Sequence, residues 1–168
     1  KETHQQFREE GQNHDLFART IRKDDAIRLQ ELVSLNNHSF NLPLNSSPYD
    51  CLNDSVKTAK SIEYAALFGS ISSFRYLWMC GAADSSPNLL KFAIAGGDYD
   101  IIHITEGKKY EYDEDCLKEA IRSHRNEIVH YIIDSVGVIF TIGALFETIR
   151  SFNFEIFIEY ASEVFKDV

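Results

Sequence analysis

The sequence predicts an all-α protein, a helical repeat solenoid of about five helix pairs forming a single domain over residues 1–168. Three observations lead to this prediction. A short apolar motif containing small residues recurs at intervals of 27 to 28 residues. Apolar residues within each copy follow a helical period and rarely alternate as strand residues do. The chain has 168 residues, 44% of them hydrophobic, which suffices for one domain with its own core.

Each helix pair occupies its own segment. The pairs are expected near residues 15–36, 61–80, 88–105, 115–134 and 141–163. An insertion loop at residues 37–60 separates the first pair from the second, because Pro43, Pro48 and many Asn and Ser residues interrupt a helix there. Part of Cys51 to Thr58 is expected to form a short helix. A loop of this length is usually functional or packed on the surface as an ordered cover.

Within a pair, a tight turn is expected between the two helices. Gly69 and Gly97 suit the end of a first helix, where positive φ is needed, and His124 takes the same place in the next copy. Small residues in the first helices would let neighbouring helices approach closely. They are Ala65, Ala93 and Ala120, with Thr20 and Thr148 at the same position in the weaker flanking copies.

These residues resemble the ankyrin repeat. Its usual pattern is matched, position by position, by Ile62, Ala65, Ala66, Gly69, Phe74, Leu77, Gly81 and Ala82. More closely, Gly11 to Ser135 resembles a divergent ankyrin family abundant in parasitic protists, which carries a conserved domain of unknown function. The segments that support the resemblance are HDLFARTIRKDD at 14–25, SIEYAALFGSISSFRYL at 61–77, LLKFAIAGGDYDIIHI at 89–104 and CLKEAIRSHRNEIVHYI at 116–132.

The chain departs from the ankyrin pattern in two ways. The Thr-Pro-Leu-His tetrapeptide that orders the ankyrin turn is absent, and the spacing is shorter than the standard 33 residues. The projecting β-hairpins are therefore expected to be short or missing. The resemblance implies a noncatalytic protein-protein interaction module that binds a partner protein through its concave face and loops.

Candidate binding residues are taken as rows of equivalent positions across repeats. One row is Arg22, Leu67, Ala95, Arg122 and Arg150, and a neighbouring row is Glu63, Lys91 and Lys118. Because basic residues recur on the predicted inner surface of an acidic chain, an acidic peptide or protein surface is the expected ligand. The alternative is an ordinary solvated helix face.

A second candidate is the acidic connection before the fourth pair. Tyr110 and Tyr112 are interleaved there with acidic residues and could anchor an interface. The alternative is a polar loop in which Asp115 caps the next helix.

Composition and motifs argue against several other functions. A net charge of −9 disfavours nucleic acid, and the longest uncharged stretch, Ser135 to Phe146, is too short to enter a bilayer as a span. Three widely spaced cysteines indicate reduced thiols in a cytoplasmic protein. The six histidines do not have the spacing of metal ligands. The sequence contains no cofactor-binding or catalytic motif, so no cofactor is expected and the protein is predicted not to be an enzyme.

Two further functions stay open beside the interaction module. The same stack could be a structural subunit of a larger assembly, which exposure of the apolar run Val136 to Phe146 would favour. An enzyme on a helical scaffold is the remaining alternative and would require a deep polar pocket with perturbed titrating groups.

Overall fold

The computed structural model describes residues 13–36, 39–45, 47, 58–107 and 110–165. These residues are mostly helical with little strand, which confirms the all-α prediction. Their contacts divide the chain into two compact units, unit 1 with residues 1–89 and unit 2 with residues 90–168. The short helix expected within residues 51–58 falls outside the described residues, except that Thr58 begins a strand.

Unit 1 contains two helix pairs within the residues that the structure describes. Its elements are α1 (Leu16–Arg22), α2 (Ala26–Leu35), β1 (Pro43–Asn45), β2 (Thr58–Lys60), α3 (Ser61–Leu67), α4 (Ile71–Met79) and a 3-10 turn (Ala82–Ser85). The first helices α1 and α3 pack together, as do the second helices α2 and α4, and each first helix also packs on its own second helix. The small residues Ala65 and Ala66 on α3 are fully buried, which allows this close packing.

A two-stranded ribbon lies within the predicted insertion loop. Strands β1 and β2 are antiparallel, with Leu44 opposite Ala59, and both of these residues are buried. The carbonyl oxygen of Leu42 then accepts a hydrogen bond of 3.0 Å from the backbone N–H of Ser61 at the start of α3. The sequence did not predict these strands, because each is three residues long and pairs with a partner far along the chain.

Unit 2 contains three helix pairs in its described residues. Its elements are α5 (Leu89–Gly96, whose first residue belongs to unit 1), α6 (Tyr99–Glu106), α7 (Glu114–Arg122), α8 (Asn126–His130) with a π-helical continuation (Tyr131–Val136), α9 (Ile142–Arg150) and α10 (Phe154–Val164). Helix α7 packs on α8 and on α9, and α9 packs on α10.

Side-chain caps define several helix starts. Asp98 accepts from the N–H of Ile101 at 3.0 Å, and Thr141 accepts from the N–H of Ala144 at 3.1 Å. Helix α7 is capped by Asp113, whose Oδ1 accepts from the N–H of Cys116 at 2.8 Å. The prediction that Asp115 caps this helix is therefore wrong. Asp115 lies inside the first turn, where its carboxylate is free to reach another helix.

The five turns between paired helices share one backbone geometry. Each places one residue at positive φ just before the second helix: Asp24 (52°), Gly69 (64°), Gly97 (77°), His124 (54°) and Phe152 (59°). In four of these turns the next N–H bonds back to a buried small residue in the first helix, as from Arg125 to Ala120 (2.9 Å) and from Asn153 to Thr148 (2.8 Å). The positive φ expected at Gly69 and Gly97 is confirmed, and His124 adopts the same conformation.

Candidate protein-interaction surface

The ammonium group of Lys91 on α5 lies between two carboxylates at the start of α7. Its Nζ is 2.9 Å from Oδ2 of Asp115 and 3.5 Å from Oδ2 of Asp113. Burial lowers the pKa of Lys91, but the hydrogen bond to Asp115 and the two negative charges raise it above its ordinary value. The side chain is therefore held in place as a cation.

The second cation, Lys118, is paired along α7 itself. Its Nζ lies 2.8 Å from Oε1 of Glu114, one helical turn earlier. The same Glu114 oxygen accepts a hydrogen bond of 2.6 Å from the hydroxyl of Thr141, the residue that caps α9. A Cβ added at Gly143 would lie 2.7 Å from Glu114 Oε1, so the backbone of α9 approaches this pair closely. Lys118 and Glu114 thus lie where α7 meets α9.

The third cation, Arg122, connects α7 to α9 directly. Its Nε donates to Oε1 of Glu147 at 2.9 Å, and its Nη1 donates to Oε2 of Glu119 at 2.7 Å. Glu147 is only 7% exposed, and a buried carboxylate is costly without such a partner. The hydrogen bond to Glu147 raises the pKa of Arg122 more than burial lowers it.

Together these side chains form three ion-pair groups on and beside α5, α7 and α9 of unit 2, here called the ion-pair ladder. Its members are Lys91, Asp113, Glu114, Asp115, Lys118, Glu119, Arg122 and Glu147. Three cations lie among five carboxylates, which leaves a net formal charge of −2 on the ladder. The structure therefore brings together Lys91, Lys118 and Arg122 of the predicted set, each already paired with acid.

Three other predicted residues lie in unit 1. The guanidinium carbon of Arg22 is 4.5 Å from the centre of the Phe68 ring, and Leu67 beside Phe68 is half-buried. Glu63 is buried, accepts from the N–H of Lys60 at 2.7 Å and also accepts from the hydroxyl of Ser86. Because both carboxylate oxygens of Glu63 are used within unit 1, we leave Glu63 out of the proposed surface.

The predicted residues Tyr110 and Tyr112 both lie in the loop before α7. Tyr112 donates its hydroxyl to Oε1 of Glu106, which also accepts from Tyr131 at 3.0 Å, while His103 Nδ1 lies 2.9 Å from Oε2. Burial raises the pKa of Glu106, but hydrogen bonds from Tyr112, His103 and Tyr131 lower it more, so the carboxylate stays ionised. Tyr112 therefore fastens the loop to α6, and Tyr110 is half-buried.

Arg125, which closes the turn of the preceding pair, was not among the predicted site residues. Its Nε donates to the carbonyl oxygen of Ala95 at 3.1 Å, and its Nη2 donates to that of Gly96 at 2.7 Å. These are carbonyl groups at the end of α5, which have no partner within the helix. The contacts join residues about 30 positions apart, so no local pattern could have revealed them.

The last helix pair exposes six large apolar side chains. They are Ile142, Phe146, Ile149, Phe152, Phe154 and Ile158, between 46% and 76% exposed. Only Ile142 and Phe146 lie in the run Val136 to Phe146 that the sequence singled out, so the other four were missed. Comparing each residue of this pair with the equivalent residue of the preceding pair would have found them, because five of the six equivalent residues there are polar.

The sequence raised the histidines and cysteines as possible sites of metal binding or reactivity. His124 Nε2 lies 2.9 Å from the carbonyl oxygen of Ser151, a structural contact between turns. Cys80 and Cys116 are free thiols, and burial raises the pKa of Cys116 to about 12; Cys51 lies outside the described residues. In the described ranges, no three His, Cys, Asp or Glu side chains gather where they could hold a metal ion.

The described part of the chain also has no helix with the length and apolar content needed to cross a bilayer.

These helices define the class of the protein: its described residues are mostly helical and form helix pairs that share one turn geometry. Residues 82–160, somewhat less than half of the chain, match a family described as a domain of unknown function (DUF3447), and this stretch is similar to that family. The match agrees with the expected conserved domain of unknown function. No curated protein and no solved structure matches the chain.

Proposed function

We propose that this protein is a noncatalytic protein-protein interaction module, an ankyrin-like stack of helix pairs that acts in the cytoplasm. The observation that supports the proposal is the ion-pair ladder on α5, α7 and α9 of unit 2. Repeated helix pairs hold its charged groups at fixed positions, and such rows are the usual binding surfaces of repeat proteins. Lys91, Lys118 and Arg122 remain 28%, 28% and 35% exposed in their side chains, so a ligand can reach them.

The ion pairs within the ladder affect which charge a partner is expected to carry. An acidic ligand would meet more carboxylates than cations, and it would have to compete with Asp115 and Glu114 for Lys91 and Lys118. A basic or mixed-charge segment can instead place its cations against the exposed carboxylates without breaking the ladder. We therefore favour a partner with a net positive surface over the acidic partner that the sequence suggested.

Two matched double variants test this proposal. The partner is first identified by affinity capture, and its binding is then measured with purified proteins. Asp115→Asn with Glu114→Gln removes two negative charges, and Lys91→Gln with Lys118→Gln removes two positive charges from the same surface. A basic partner predicts weaker binding by the first variant and tighter binding by the second, by roughly 3- to 10-fold each.

If the first variant binds more tightly and the second more weakly, the partner is acidic, as the sequence suggested. The control is Arg28→Gln with Glu31→Gln, an exposed ion pair on α2 in unit 1. If both ladder variants bind as the control does, the ladder is not the binding surface and the proposal fails. Circular dichroism and urea unfolding show whether each variant keeps its helices.

A second candidate function is a structural subunit of a larger assembly. Exposure of the run Val136 to Phe146 distinguishes this candidate from the interaction module. In the structure, Val136 is 39% exposed, Ile139 79%, Ile142 52% and Phe146 60%. Several exposed apolar side chains in one stretch are typical of a face that another protein covers.

A further inference from the structure

The last helix pair exposes a connected apolar surface, here called the end face. On α9, Ile142, Phe146 and Ile149 are separated by four and three residues and so lie on one side of the helix. On α10, Phe154 and Ile158 form a similar stripe, and Phe152 lies in the turn between the helices, with its ring 6.2 Å from that of Phe154. The end face is these six side chains.

The preceding pair shows what this side of a helix pair does. The turns at His124 and Phe152 have the same backbone geometry, so position 114 in α7 corresponds to position 142 in α9, and so on along both helices. The residues equivalent to the end face are Glu114, Lys118, Ile121, His124, Asn126 and His130. In the preceding pair these positions face α9 and α10.

Contacts between the two pairs establish that role. Asn126 donates to Oε2 of Glu155 at 2.7 Å, and His130 Nε2 lies 2.9 Å from Oε2 of Glu159. Ile121 is fully buried, whereas its counterpart Ile149 is 46% exposed. The end face is therefore the stacking side of the last described pair, with hydrocarbon where the preceding pair has hydrogen-bonding groups.

The size of the end face matches that of an interface. Six side chains that each expose on the order of 100 Å² give roughly 600 Å² of hydrocarbon. This reaches the upper end of the roughly 300–600 Å² of the largest apolar patch on an ordinary monomer. A stable interface buries about 800 Å² per partner including its polar rim.

The chemistry of the end face also restricts its occupant. The side of a helix pair that receives the preceding pair carries carboxylates in unit 2, such as Glu155 and Glu159, and burying these against phenyl rings would be costly. The exposed pair Ile27 and Leu35 on α2 is smaller and lies beside Glu31. The end face itself is apolar, lacks acidic residues and is self-complementary in composition.

We propose that the end face binds the same face of a second copy of this chain, which gives a two-fold dimer. Two-fold pairing through one shared patch is the commonest form of oligomer. Helices α9 and α10 of one copy then cover α9 and α10 of the other. This inference deepens the structural-subunit candidate and does not involve the ion-pair ladder, so the two proposals can fail separately.

Sedimentation velocity of the full chain over a wide concentration range tests the proposal. The wild type is expected to be a dimer that dissociates on dilution. Phe146→Lys with Ile158→Lys is expected to weaken dimerisation by at least roughly 100-fold. Both positions are exposed, and the equivalent residues Lys118 and His130 are polar in a folded pair, so the variant is expected to keep its helices.

The control variant is Ile27→Lys with Leu35→Lys, which changes two equally exposed apolar residues on α2. It is expected to dimerise as the wild type does. If the control abolishes association, or if the wild type grows beyond a dimer, the contact is head-to-tail and the proposal is overturned. A wild type that is monomeric throughout also overturns it and leaves the end face for a different protein.

A mixing experiment distinguishes same-face pairing from other contacts. Phe146→Lys and Phe146→Glu are each expected to be monomeric alone and to associate when mixed, because opposite charges then meet across the two-fold axis. Failure of the mixture to associate, when each variant is folded by circular dichroism, would show that Phe146 does not face its counterpart.

Discussion

The neighbouring pairs α7/α8 and α9/α10 have the same turn geometry and different chemistry on the same side. In the first, His124, Asn126 and His130 make polar contacts to the next pair, and Ile121 is fully buried. In the second, the same positions are apolar and exposed. The backbone frame therefore tolerates either kind of residue, and what differs between the pairs is whether a neighbour in the described chain covers them.

The largest expected difference is at the equivalent isoleucines. Ile121→Ala removes a fully buried side chain and is expected to lower the free energy of unfolding by about 3 kcal/mol. Ile149→Ala changes a half-exposed side chain and is expected to cost about 1 kcal/mol in dilute protein. Urea unfolding of both variants measures the difference. Equal losses would mean that Ile149 is covered as fully as Ile121 is.

The next comparison uses the equivalent arginines. Arg122→Ala leaves the buried carboxylate of Glu147 without its charged partner, and we expect a loss of about 2 kcal/mol. Arg150 is exposed on α9, so Arg150→Ala is expected to stay within about 0.5 kcal/mol of the wild type. Thermal and urea unfolding test both. Recovery of stability in an Arg122→Ala variant that also carries Glu147→Gln would identify the unpaired charge as the cause.

Two glycines with positive φ allow a sharper test of the contacts between pairs. At Gly97 a Cβ would lie 2.6 Å from Nε of Arg125, so Gly97→Ala adds a clash to the backbone strain, and we expect a loss of about 2 kcal/mol. At Gly137 nothing lies within 4 Å, and Gly137→Ala is expected to cost about 1 kcal/mol from φ alone. When Arg125→Ala is also present, Gly97→Ala and Gly137→Ala should lower the free energy of unfolding by similar amounts. A larger loss at Gly97 in that variant would show that the contact with Arg125 is not the cause.

The smallest expected effect is a pH dependence at Glu106. Its pKa lies below the ordinary 4.5 in the fold, so its hydrogen bonds stabilise the folded state above that pH. This contribution is lost as the pH falls through the lowered pKa. Glu106→Gln is expected to cost about 1 kcal/mol at neutral pH, with a difference from wild type that shrinks in acid. Glu111→Gln in the same loop is the control, and a pH-independent difference would assign the loss to packing.

The local pattern of the sequence was enough to predict helices and turns. Small residues such as Ala65 and Ala120 within a helical period, followed by Gly69 or His124, mark a first helix and its left-handed end. These features act over a few residues, so their energetics are visible in the chain itself. The weaker copies with Thr20 and Thr148 adopt the same turn, because a Thr hydroxyl can bond to its own helix, as in Thr148 to the carbonyl of Leu145 at 2.7 Å.

The rows named candidate site residues without their partners. They placed Lys91 and Lys118 at equivalent positions of two repeats, and they did not show that Asp115 and Glu114 pair with them. The cap at Asp113 in place of Asp115 had the same origin. Asp113 precedes α7 and Asp115 lies in its first turn, and their roles depend on which one reaches the N–H of Cys116 and which one reaches α5.

The sequence by itself determined the helical class, the position of the repeated turns and the apolar character of the last pair, because these depend on residue type and on contacts within one pair. The tertiary structure decided which charges pair, which strands form at residues 43–45 and 58–60, and which apolar side chains stay exposed. These outcomes join residues some 15 to 30 positions apart. Their free energies depend on distances and burial that no local pattern contains.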